Sequence, residues 1–279
     1  MDKTVLVTGS SSGIGRATAY EFLAEDWTVY ATARNPADVE TLGEEGCRIA
    51  TLDVTDDDDV ERVVDRMIEE EGRIDALVNN AGYGQFGPVE DVPTEAVHRQ
   101  FDVNVYGPHR LARAVLPHMR SQRDGTIVNL SSVAGRLSFP GGGVYAGSKH
   151  AMEAMSDALR NEVDDYGIDV VLIEPGPVKT EFQDRAARST EPDDEVDVPG
   201  VERSDAYDEV YDAIDDGSTL GGVGAIEPEL VAEFVVNAAS ATRPQARYQP
   251  GTVARFGVLA RYLPDQLLDT GFGIFRKLS

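Results

Sequence analysis

Residues 4–15 read TVLVTGSSSGIG, a β-branched run that gives way to three glycines, Gly9, Gly13 and Gly15. The run has the composition of a buried strand, and IGRATAYEFLAED, from Ile14, has helical length. A glycine triplet alone marks many ordinary turns. Placed between a strand and a helix it has a chemical use: glycines permit a tight turn and close backbone approach, and the helix N-terminus offers N–H groups to a pyrophosphate. Gly9, Ser11, Ser12, Gly13, Ile14 and Gly15 are therefore expected to bind a dinucleotide.

Outward from this stretch, short β-branched runs alternate with helical ones. WTVYAT at 27–32, CRIATL at 47–52, ALVN at 76–79, TIVNLS at 126–131 and DVVLIE at 169–174 have strand character, and DVERVVDRMIEEEG has the length of a helix. Such alternation predicts an α/β fold: a Rossmann-like, doubly wound parallel sheet of about seven strands with helices on both faces, in three layers. A single domain over 1–279 is expected. The pattern breaks from about 183 to 226 into a polar insertion with a short helix at 204–215, and a loop of that length reads as a substrate lid. Regular structure is expected to resume at Pro228. From 253 to 279 comes an apolar extension carrying Phe256, Leu259, Tyr262, Leu263, Leu267 and Phe272, which Pro264 should divide into two helical pieces. It is expected to pack on the core, to meet a second subunit, or to close over the pocket.

The end of the second strand selects the cofactor. An acidic residue there would hydrogen-bond a ribose hydroxyl, but this chain has Ala33 and then Arg34. A guanidinium suits a 2′-phosphate, with the Ser11 hydroxyl as a second partner, so NADP(H) is expected in preference to NAD(H).

Tyr145 and Lys149 are four residues apart, and on a helix they share a face. A phenol titrates near pH ~10, and lowering that by about three units takes roughly 4 kcal/mol. A cation at about 4 Å supplies about that much at an effective dielectric near 20. The sequence makes this lysine conspicuous: there are four in all, Lys3, Lys149, Lys179 and Lys277, against twenty-one arginines. Ser132 lies at the end of the strand TIVNLS, directly after Ser131 and thirteen residues before Tyr145, and Asn104 lies in NVYG.

With TGSSSGIG, NNAG at 79–82, Asn104, Ser132, the Tyr145–Lys149 pair and PGPVKT at 175–180 in this order and spacing, the chain resembles a classical short-chain dehydrogenase/reductase. The resemblance covers roughly residues 3–182 specifically. It implies that Tyr145 is the general acid/base, that Lys149 lowers its pKa and holds the nicotinamide ribose, and that Ser132 orients the carbonyl. Asn104 would hold a water in a proton relay. Asp53 and Val54 would contact the adenine, Asn80, Ala81 and Gly82 would line the ribose, and Pro175, Gly176, Val178 and Thr180 would seat the carboxamide. VYATAR and the long C-terminal third are most similar to hydroxysteroid and retinol dehydrogenase-like members, which implies a bulky apolar ketone or alcohol as the small-molecule substrate, and a homodimer or homotetramer is expected. Two other readings are a 3-oxoacyl carrier-protein reductase and a non-catalytic NADPH-binding sensor. The first fits poorly with a surface short of basic residues, the second with an intact tyrosine.

Composition narrows the rest. The net charge is −25, which repels nucleic acid and offers no basic patch. Cys47 is the only cysteine, so no intrachain disulfide forms. His98, His109, His118 and His150 show no ligand spacing, and no metal is expected. With no leader pattern after Met1 and no apolar run of about 18 residues, a cytoplasmic protein without a membrane segment is expected. Carboxylates are spread along the chain, at Asp56–Asp59, Glu69–Glu71, Asp164 and Asp165, which reads as adaptation to molar salt. At about 1 M salt the Debye length is about 3 Å; at 0.1 M it is about 10 Å and repulsion returns. Transfer from molar KCl to about 0.1 M should therefore lower the melting temperature. A melting curve indifferent to that transfer would defeat the reading.

Overall fold

The computed structural model describes residues 3–182, 200–215 and 224–278, with side chains as far as 271. Seven strands form one parallel sheet: β1 (Thr4–Val7), β2 (Thr28–Ala33), β3 (Arg48–Thr51), β4 (Ala76–Asn79), β5 (Gly125–Leu130), β6 (Ile168–Ile173) and β7 (Arg247–Tyr248). Their order is β3-β2-β1-β4-β5-β6-β7. The chain winds outward from β1 to β3, then crosses back and places β4 on the other side of β1. Where the order reverses, the loops after β1 and β4 diverge and leave a crevice at the carboxyl ends of the strands.

Helices cover both faces, and this is why the central strands are apolar without alternation. Val5 and Val7 face one layer with Val29, Val78 and Val128, closed by α1 (Gly13–Ala24) and α8 (Pro228–Ser240). Leu6 points the other way, with Tyr30, Leu77 and Ile127, beneath α3 (Asp57–Glu71) and α5 (Gly107–Gln122). Local chemistry sets the ends. The Asp56 carboxylate accepts from the Asp58 and Asp59 N–H groups at the start of α3, and Gly72, at φ +74°, ends it.

The remaining helices are α2 (Glu40–Glu44), α4 (Thr94–Phe101), α6 (Gly143–Val163), α7 (Asp208–Asp215), α9 (Thr252–Ala260) and α10 (Asp265–Leu278). The predicted helix near 204–215 is a 3₁₀ turn at Asp205–Tyr207 leading into α7, and regular structure resumes at Pro228 as expected. The rest of the expected insertion, 183–199 and 216–223, lies outside the described residues. Pro264 separates α9 from α10.

Packing of the extension on the core is met only in part. Ala254 is buried, yet Phe256, Leu259, Tyr262, Leu263 and Leu267 are 48–77% exposed. The small residues explain the geometry. Ala254 faces the Gly176 backbone and Gly257 faces Val133, so α9 lies close along these loops by its thin side and turns its large side chains outward. Among the described residues no helix is long and apolar enough to cross a membrane.

Candidate active site

The loops at the carboxyl ends of β1, β4, β5 and β6 meet over the crevice. After β1 the glycine loop is fixed from behind. The Asn80 side-chain amide donates to the Thr8 and Gly9 carbonyls at 2.9 and 3.0 Å, while the Thr8 hydroxyl accepts from the Asn80 and Ala81 N–H groups at 3.0 Å each. Gly15 cannot be another residue in this arrangement: a Cβ there would lie 2.2 Å from the Gly9 oxygen and 2.4 Å from Asn80 Nδ2. Ser12 stands at the N-cap of α1 with extended backbone. The result is a small cradle of backbone at a helix N-terminus, which fits a pyrophosphate.

Around it, the loop after β6 crosses close to the glycine loop, with Thr180 beside Gly13. That loop is held by a bridge between Val178 and Ile226, and Pro175 accepts from the Val133 N–H at 3.0 Å. Gly176 is half-buried beside Ala254. Asp53 accepts from the Thr55 N–H and hydroxyl at 2.9 and 2.7 Å, and Val54 is buried against Gly107. Arg34 is exposed just beyond β2, and Ser11 is half-buried in the glycine loop.

Asn104 lies in a short π-helical segment, Asp102–Tyr106, between α4 and α5. Such bulges widen a helix and are frequent at functional sites. Here it turns a fully buried amide inward: Nδ2 donates to the Tyr83 carbonyl at 3.0 Å and to the Ser148 hydroxyl at 3.2 Å, and Oδ1 accepts from the Tyr83 N–H at 3.2 Å. Gly82 packs directly on this amide.

Tyr145, Lys149 and Ser132 come together as the spacing predicts. Ser132 follows β5 and accepts from the Ala134 N–H at 3.1 Å. Tyr145 and Lys149, one turn apart on α6, are both buried. The expected lowering of the phenol pKa is not what this geometry gives. Burial pushes the Tyr145 phenol up to about 12, with the Ser132 hydroxyl pulling it partly back. The same burial brings Lys149 down to about 8, against the raising effect of Glu153. The ammonium donates to the Leu130 carbonyl at 2.6 Å and lies 5.9 Å from the tyrosine ring centroid, so desolvation outweighs the attraction between them.

The residues that sequence reasoning missed are aromatic. Phe86 and Phe182 flank the Tyr145 ring at 5.6 and 5.5 Å between centroids, and Phe139 stacks on Phe86 at 6.3 Å. Val210, Tyr211 and Ile214 of α7 join the same cluster, and Asp91 accepts from the Tyr211 hydroxyl and the Ser204 N–H. These side chains sit mostly in loops and carry no periodic signal. Their one sequence clue is proximity to motifs, since Phe182 follows Thr180 by two residues.

A model of the short chain dehydrogenase family matches residues 3–191, and the chain belongs to that family. It is 38% identical over 272 residues to the uncharacterized oxidoreductase YbbO of Escherichia coli K12, covering 96% of this chain and 93% of that protein. The NADPH-dependent 3-dehydrocapnine reductase of Ornithobacterium rhinotracheale is 34% identical over 277 residues, covering 96% and 95%. A solved short-chain dehydrogenase from Streptomyces avermitilis has a TM-score of 0.81 at 31% identity, covering 100% of this chain and 97% of that one. Solved proteins of this fold include complexes with NADP and with NAD. The chain is thus an oxidoreductase of a fold that binds a nicotinamide cofactor.

Gly15→Ala should weaken dinucleotide binding by at least about tenfold, or about 1.4 kcal/mol, because the added methyl displaces the Gly9 carbonyl. Cofactor titration by protein fluorescence checks this; unchanged affinity would place the cradle elsewhere.

Proposed function

We propose that the chain is an NADP(H)-dependent reductase of a bulky apolar ketone, running in reverse as a secondary alcohol dehydrogenase. The observation that carries this reading is the Tyr145 phenol, buried beside Ser132 between Phe86 and Phe182. A small hydrophilic carbonyl would leave that aromatic wall without a partner; a large apolar one covers it.

Gly9, Ser11, Ser12, Gly13, Ile14 and Gly15 hold the pyrophosphate of the cofactor in this reading. Asp53 and Val54 would contact the adenine, Asn80, Ala81 and Gly82 would line the ribose, and Pro175, Gly176, Val178 and Thr180 would seat the carboxamide. NADPH, when bound there, would supply a hydride for the carbonyl carbon. The chain itself manages the oxygen. Ser132 and Tyr145 donate hydrogen bonds to it, stabilising the negative charge that grows there. A phenol held near pKa 12 stays protonated at neutrality and is ready to give its proton to the nascent alkoxide. Lys149, charged below about pH 8, then stabilises the phenolate left behind. Asn104 would hold a water in the proton relay.

Preference for NADP(H) is supported by Arg34, exposed at the end of β2, and by the NADPH dependence in the name of the Ornithobacterium relative. Packing of α7 on the tyrosine's aromatic cluster supports the 183–226 insertion as a substrate lid. A hydroxysteroid- or retinol-like substrate, a homodimer or homotetramer, a cytoplasmic location and tolerance of molar salt complete the reading, the last supported by the charge of −25.

Tyr145→Phe should abolish NADPH oxidation with a panel of ketones in about 2 M KCl, a salt level at which charge repulsion is screened, and leave NADPH binding intact. Retention of more than about a tenth of the rate, about 1.4 kcal/mol of barrier, would remove Tyr145 from the proton transfer. Arg34→Asp should raise KM for NADPH and favour NADH. A wild-type enzyme that already prefers NADH would contradict the role given to Arg34.

A further inference from the structure

Below the reacting groups lies a set of four charges, two buried carboxylates and two half-buried guanidiniums, that the reaction described so far does not use. Glu153 is 4% exposed and Glu174 is fully buried. Two guanidiniums bridge them. Arg136 approaches Glu153 and Glu174 at 3.6 Å each, and Arg247 approaches them at 3.1 and 3.2 Å. Arg247 also donates twice to Asp157 at 2.7 Å, and the Gln249 amide donates to Glu174.

Each member comes from a different part of the site. Arg136 follows Ser132 by four residues. Glu153 is one helical turn beyond Lys149 on α6. Glu174 immediately precedes Pro175, and Arg247 is in β7. The serine turn presses on the helix at this point: a Cβ on Gly135 would lie 3.0 Å from Glu153 Cγ and 3.3 Å from the Lys149 carbonyl. With Asp157 counted, three carboxylates face two guanidiniums, and each charge has a partner. Burying them is nevertheless costly, and apolar side chains of similar size would serve plain stability as well or better. A charge cluster in this place is better explained by its neighbour. Lys149 is a buried ammonium whose hydrogen bond is to a carbonyl, Leu130, and the carboxylate whose field acts on it is Glu153.

We propose that Glu153 is a positioning residue of the active site: through Arg136 it holds the Ser132 turn against α6, and its charge keeps Lys149 in the ammonium form. The groups around Lys149 are Tyr145 and Glu153 on its own helix and the Leu130 carbonyl of β5. Behind Glu153 stand Arg136, Glu174 and Arg247. Loss of the Glu153 charge removes the carboxylate whose field acts on Lys149 and leaves Arg136 and Arg247 matched by Glu174 and Asp157 alone, which disfavours the ammonium. The inference rests on Lys149 being the cation beside the reacting tyrosine.

The test is the pH dependence of kcat for NADPH-driven ketone reduction by the full-length enzyme in about 2 M KCl. Wild type should lose activity as pH rises through about 8, where Lys149 discharges. In Glu153→Gln that alkaline limb should move down by about one pH unit, with NADPH binding retained. An unmoved limb in a folded, NADPH-binding Glu153→Gln enzyme would overturn the proposal, since a purely structural role changes the amount of active enzyme and not its pH profile. If Glu153→Gln does not fold, Glu153→Asp decides. It keeps the charge but withdraws it from Arg136, so kcat should fall with KM for NADPH unchanged and the limb in place; a wild-type kcat would refute the positioning role. A wild type that reduces no ketone would instead refute the proposed function.

Discussion

A buried ammonium beside a buried phenol is the constraint around which this molecule is arranged. Neither group is comfortable out of water. Burial raises the Tyr145 pKa and lowers that of Lys149, so both are pushed towards their neutral forms. What surrounds them reads as a response. The Leu130 carbonyl at the end of β5 accepts a hydrogen bond from the Lys149 ammonium, Ser132 lies beside the phenol, and Glu153 adds a negative charge one turn below. Burial also removes the water that would otherwise weaken each of these interactions.

The sheet makes such burial feasible. Seven parallel strands form a sheet covered on both faces, and the loops at their carboxyl ends supply the site from one rim. The glycine loop and Asn80 come from either side of the switch point, fastened to each other through Thr8. Ser132 and Pro175 come from the next two strands, fastened through the Val133 N–H. The two halves of the rim are thus stitched differently, the first through the Thr8 and Asn80 side chains and the second by a backbone hydrogen bond.

The acidic surface and the apolar C-terminal helices sit outside this framework. Carboxylates concentrate where solvent can hydrate them, whereas the deeply buried Glu153 and Glu174 are matched by arginines. Arginine suits that place because its planar fork can serve two carboxylates at once. Lysine, scarce in the chain, is buried at position 149, where a compact charge is needed next to a ring.

By itself the sequence determined most of the sheet and which residues, Tyr145, Lys149 and Ser132, come together at its rim. Six of seven strands were legible because buried parallel strands are runs of β-branched residues, and β7, two residues long, was too short to leave a run. Tyr145, Lys149 and Ser132 were legible because helical spacing and a strand end fix their meeting locally. Tertiary structure decided the rest. The direction of the two pKa shifts follows from desolvation, which no spacing encodes. The aromatic wall of Phe86, Phe139 and Phe182 assembles from separate loops, and the Arg136–Glu153–Glu174–Arg247 cluster joins residues up to 111 positions apart in the chain. Such contacts depend on where the sheet brings distant loops together, and a linear pattern carries no record of that.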